Sequence, residues 1–139
     1  MALQRRVGRL SVVAAVAAVV GVGGVAQAAT TDVSIGPTAT LKARGAAVIT
    51  SVVVQCPRGF QGGINVQVSE RVSSSHVTNG FGGLNITCTG SVQTFRVPAA
   101  SFDRPFQRGV AFAQASLGVF NPNTGKFVTA NAFRTIKII

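Results

Sequence analysis

The 139-residue chain carries thirteen Lys and Arg against three acids, a formal net charge of +10, with one His, nine Phe and neither Trp nor Tyr. A single histidine, His76, argues against a metal centre, and a chain without Trp or Tyr lacks the best platforms for stacking nucleic-acid bases. Specific nucleic-acid binding and metal chemistry are therefore both disfavoured, and no cofactor is implied.

The first element is a predicted export signal. Arg5, Arg6 and Arg9 form a short positive region, Leu10 to Val25 is apolar and uncharged, and Ala26-Gln27-Ala28 supplies a small-x-small cleavage site. The apolar stretch is diluted by Gly21, Gly23 and Gly24 and lacks basic stop-transfer residues, so removal of residues 1–28 is expected rather than a membrane span. The neighbours of Arg5-Arg6 fit the twin-arginine signal poorly, which favours the general secretory route. What remains, residues 29–139, is one domain with ten basic residues, three acids and a formal net charge of +7.

A domain of this size buries only about 60–70% of its unfolded surface, so an added constraint is expected. Cys56 and Cys88 supply it, because a pair of thiols outside the cytosol normally oxidises. A redox or metal role would want closer cysteines or further His and Cys ligands.

Thr30 to Pro37 reads as a lead-in, followed by a first strand over Thr38 to Ala43. From Ala46 to Cys56, Val48, Thr50, Val52, Val54 and Cys56 share one parity in a β-branched run typical of a buried strand. After Gly62-Gly63, Ile64, Val66 and Val68 point one way and Asn65, Gln67 and Ser69 the other, and Glu70 and Arg71 are predicted to close the strand at the surface. Ser73-Ser74-Ser75-His76 reads as a loop and Asn79-Gly80 as a tight turn, before Leu84, Ile86 and Cys88 alternate again. Val92 to Val97 forms a further strand broken by Pro98, and Ala99 to Arg108 reads as a crossing loop pinned by Phe102 and Phe106. The final strands, Gly109 to Phe120 and Lys126 to Ile138, flank a Pro- and Gly-containing turn at Asn121 to Gly125.

About seven strands with frequent turns and no helical periodicity predict an antiparallel immunoglobulin-like β-sandwich, with a small closed β-barrel as the alternative. Antibody hallmarks are missing, since there is no Trp and no Tyr for a corner. Cys56-Pro57, the alternating Ile64-Val66-Val68, Cys88-Thr89-Gly90, Phe95 and Gly109-Val110-Ala111 follow an order that resembles small, secreted, single-disulfide β-sandwich proteins of unknown function from actinobacteria. The resemblance spans about residues 33–139. It implies the fold and brings no catalytic residues.

Enzyme classes fall by elimination. A Ser-His-Asp hydrolase would need His76 as base with Asp32 or Asp103, yet no nucleophile-elbow pattern surrounds any Ser, and His76 follows three serines in a predicted exposed loop. Glu70 and Asp103 could pair as in a glycosidase, but each sits beside an arginine, Arg71 and Arg104, so surface ion pairing is the simpler account. Gly59, Gly62-Gly63 and Phe81-Gly82-Gly83 read as turn glycines rather than phosphate loops, and the Asn85-Ile86-Thr87 sequon as a chance match.

The basic surface remains. It predicts attraction to extracellular polyanions: anionic wall polymers, acidic lipids, extracellular DNA or acidic proteins. The cations are spread through nearly every strand and loop, with Arg104 and Arg108 flanking Phe106 as the best local contacts for an anionic partner. The sequence thus predicts a monomeric, non-catalytic extracellular or cell-envelope binding module. The alternatives are a secreted inhibitor presenting the rigid Ala99–Arg108 loop, or an apolar-ligand carrier with a pocket lined by Phe112, Phe120, Phe127 or Phe133.

Overall fold

The computed structural model describes residues 30–139, so the predicted export signal lies outside the described residues. Within them run seven strands: β1 (Asp32–Lys42), β2 (Ala47–Gln55), β3 (Gln61–Ser73), β4 (His76–Thr87), β5 (Gln93–Ser101), β6 (Gly109–Phe120) and β7 (Phe127–Ile138), with a short 3-10 turn at Ala43–Gly45. Their order around the sheet is β1-β2-β5-β4-β3-β6-β7. The sheet closes on itself as a barrel, the alternative named above, rather than separating into the two layers of a sandwich.

Two short seams produce the closure. β7 meets β1 in parallel at Thr38↔Lys137 and Ala39↔Ile138, and β4 meets β5 only at Gly80↔Ser101 and Phe81↔Ala100. The other ladders are long and antiparallel, as in the β3–β4 hairpin, whose register runs from Gln61↔Thr87 to Ser73↔His76. Beyond the two β4–β5 pairs, residues 82–87 and 93–99 do not pair with each other.

The period-two pattern puts the β-branched residues inside. Val48, Val52, Val54, Ile64, Val66 and Val68 are buried, as is Thr50, whose hydroxyl donates to the Val97 carbonyl at 3.0 Å. β6 contributes Ala111, Ala113, Ala115, Leu117 and Val119 to the interior. Cys56 and Cys88 form the expected disulfide with their Cα atoms 5.5 Å apart, fastening the β2–β3 connection to the β4–β5 connection.

Four local expectations are corrected. The lead-in is already strand, since Val33 and Ile35 are buried and paired with β2, and Gly36-Pro37 only shifts the register before Ala39. Asn79-Gly80 is not a turn, because it lies inside β4 opposite Ser69 and Val68. The Phe81-Gly82-Gly83 glycines also lie in β4, and a Cβ on Gly82 would collide with the Pro98 carbonyl where β4 crosses β5. Pro98 does not break its strand, which continues to Ser101. Ser101 N–H donates toward β2, to the Ala46 carbonyl, so by alternation the missing N–H of Pro98 faces β4, where the ladder has already ended.

Candidate functional site: the basic end of the barrel

Strand direction decides where the cations gather. β1, β3, β5 and β7 all run toward the same end, bringing Lys42, Arg71 and Lys137 near the ends of their strands, Arg44 into the 3-10 turn, and Arg104 and Arg108 into the β5–β6 loop. All six side chains are exposed. Arg58 and Lys126 lie in connections at the opposite end, while Arg134 is spent on structure, its Nη1 donating to the Ile35 carbonyl at 2.9 Å across the β7–β1 seam. Six of the ten cations of residues 29–139 thus gather at one end of the fold, while Arg96 stands exposed in the middle of β5.

The β5–β6 loop is braced from several sides. Phe106 is buried at 2% exposure, and its N–H donates to the Gly45 carbonyl at 2.8 Å. Its ring lies over Gly80, where an added Cβ would stand 2.7 Å from two ring carbons. Phe102, predicted as a second pin, is instead 74% exposed and packs against Phe81 with ring centroids 5.0 Å apart. Facing this loop, Ala43 (φ 50), Arg44 (φ 57) and Gly45 (φ 91) are all left-handed. For the two non-glycine residues that geometry costs about 1–2 kcal/mol each. It projects Arg44 outward while turning the Gly45 carbonyl to Phe106.

Of the two local acids, Glu70 is withdrawn from the surface while Asp103 stays exposed beside Arg104. Glu70 is buried rather than superficial, because it continues the inward parity of Ile64, Val66 and Val68. Burial pushes its carboxyl pKa up, partly offset by the Gln107 N–H that donates to Oε1 at 2.7 Å. Arg71, one residue on, points outward, so the predicted Glu70–Arg71 surface pair does not form. Asp103 is held below its ordinary carboxylate range first by the Arg104 backbone N–H at 2.6 Å and then by His76. It therefore meets the backbone of Arg104 rather than forming the predicted ion pair with its guanidinium.

His76 is the first residue of β4 and partly buried, not a freely solvated loop residue. Its Nε2 donates to Asp103 Oδ2 at 2.8 Å, the ion pair found among the described residues when His76 is protonated. The Thr78 hydroxyl lies 2.6 Å from the Arg104 carbonyl and 3.0 Å from Asp103 Oδ1, and its one proton serves one of them at a time. The fold therefore unites His76 with Asp103, while Asp32 sits at the far end of β1. Ser73 Oγ, the nearby hydroxyl, accepts from the Ser75 N–H. The constellation is a loop clamp.

Among the described residues no group of three or more His, Cys, Asp and Glu side chains could hold a metal ion, and no helix is long and apolar enough to cross a membrane. Phe112, Phe120, Phe127 and Phe133 stand on the outer face of β6 and β7. No family model matches the chain, and no curated protein matches it.

Proposed function

We propose that the chain is a non-catalytic extracellular or cell-envelope binding module that takes anionic polymers at the basic end of its barrel. The observation that carries this reading is the gathering of Lys42, Arg44, Arg71, Arg104, Arg108 and Lys137 at one end, with Glu70 buried and Asp103 clamped by His76. A cluster of one sign raises the local concentration of polyanions and speeds their capture. The disulfide and the sequence signals of residues 1–28 support an exported protein, in keeping with the small secreted actinobacterial proteins it resembles. The neighbour relations β1-β2-β5 and β3-β6-β7 support an immunoglobulin-like lineage, since they match the A-B-E and C-F-G adjacencies of that fold.

Fractionation of the producing culture tests the reading. The protein is expected in the cell-wall fraction, released by rising salt and about 2 Da lighter than its reduced form. Retention indifferent to salt contradicts it. A second reading, the secreted inhibitor, is favoured by the braced β5–β6 loop with its projecting Phe102. It predicts stoichiometric inhibition of serine proteases without turnover, and a lack of inhibition removes it.

A further inference from the structure

The side of the barrel formed by β4, β3, β6 and β7 has a different character from the basic end. From Gln61 to Ser69, every outward residue of β3 and every residue registered with it on β4, β6 and β7 is uncharged. In a chain with a formal charge of +10, so wide a neutral face is a distinct surface. Across its middle, Phe81, Gln67, Gln114 and Phe133 stand in register, one from each strand. Three interstrand steps of about 4.8 Å set the two phenylalanines roughly 14 Å apart. Beside Phe81 lies a groove of about 380 Å³, lined by Asn65, Val66, Gln67, Phe81, Gly82, Gln114 and Ser116, with Phe133 one strand beyond Gln114.

Its chemistry is polar along the floor and aromatic at one wall, Phe81, with Phe133 standing beyond the opposite rim. Among the described residues, no hydrogen bond within the protein engages the side chains of Asn65, Gln67, Gln114 or Ser116, whereas Asn79 beyond them is taken by Ser69 at 2.6 Å. Each amide offers two donors and an acceptor. Phe81 is 44% and Phe133 65% exposed, the former braced by Phe102 and the latter stacked on Phe112 at 6.3 Å. Protein interfaces place apolar residues at the centre and polar ones at the rim, the reverse of this arrangement. An apolar ligand would leave the amide floor unpaired at a cost, and a polyanion gains nothing from an uncharged surface. A chain of neutral sugars satisfies both parts, its hydroxyls pairing with the amides and its C–H faces packing on the phenyl rings.

We propose that this groove binds an uncharged glycan chain running along the strands between Phe81 and Phe133. The site is independent of the basic end, so an anionic polymer and a neutral glycan could be held together. The test titrates the disulfide-intact protein with cellohexaose, mannohexaose and chitohexaose, following the amide resonances of Asn65, Gln67 and Gln114 by NMR. At least one hexaose is expected to shift all three, equally at low salt and in 0.5 M NaCl, and equally in an Arg104→Ala/Arg108→Ala variant. Gln67→Ala/Gln114→Ala, at surface positions whose folding the same spectrum checks, is expected to weaken binding about ten-fold or more. Phe81→Ala, read the same way, is expected to weaken it as well. No shift with any of the three, undiminished binding by Gln67→Ala/Gln114→Ala, or a concentration-dependent dimer that buries this face each overturns the proposal.

Discussion

Truncating Phe106 to Ala tests how the candidate site is held in place. The side chain is 2% exposed, its ring rests against Gly80, and its N–H anchors the loop to the Gly45 carbonyl at 2.8 Å. Removing a buried phenyl ring costs about 3–5 kcal/mol in transfer and cavity terms, a large share of the roughly 5–15 kcal/mol available to a domain. At this chain length each kcal/mol shifts Tm by about 4–5 °C, so Phe106→Ala is expected to melt some 12–25 °C lower. Gly80→Ala pushes a methyl against the same ring and should cost about 1–3 kcal/mol alone. In the Phe106→Ala background part of that cost should vanish, because the methyl enters the cavity. Part should stay, because the new Cβ also approaches the Ala100 carbonyl at 2.9 Å. Thermal and urea unfolding of the four proteins gives the coupling directly. A drop below about 4 °C for Phe106→Ala, or additive effects in the double variant, would refute the claim that this ring pins the loop.

Reduction of the disulfide, or replacement of both cysteines by Ala, opens a loop of sequence separation 32 and is expected to cost about 3–4 kcal/mol on the chain-entropy account. Urea titration with and without reductant reads that loss, and unchanged stability on reduction contradicts it. Glu70 gives a pH prediction. Its pKa is raised above the ordinary 4.5, so folding disfavours its ionised form: that penalty is absent below pH 4.5, grows as pH rises through the raised value and is complete above it. Glu70→Gln keeps an acceptor oxygen for the Gln107 N–H, so it should be more stable than the parent at pH 7, with the gap closing toward pH 4. A variant that is less stable at pH 7 would mean that the surrounding cations outweigh desolvation at this carboxylate.

Much of the fold is legible in the sequence because burial imposes period two. The parity of Val48 to Cys56 and of Ile64 to Val68 predicts which residues fill the barrel, and the β6–β7 hairpin lies within a residue of its expected bounds. The errors share a cause. Asn79-Gly80, Gly82 and Pro98 carry strong local turn or breaker signals, but each is set by a neighbour distant in sequence: β3 for Asn79, Phe106 for Gly80, and the β4–β5 crossing for Gly82 and Pro98. Closure of the barrel depends on two short pairings that leave no periodic mark. At the site, Arg104 and Arg108 were identifiable from their place around Phe106, whereas Lys42, Arg44, Arg71 and Lys137 join them only once the strand directions are known. Glu70 was misplaced because its charge outweighed its parity, which pointed inward all along.

The most direct test of the account is the salt dependence of binding to immobilised poly(glycerol phosphate), compared between the parent protein and Arg104→Ala/Arg108→Ala. With six cations engaged, the logarithm of affinity should fall with the logarithm of salt at a slope near −4, and loss of two should bring it to about −3, with weaker binding throughout. A slope near zero, or the same slope and affinity in both proteins, would contradict a binding module working through the basic end of the barrel.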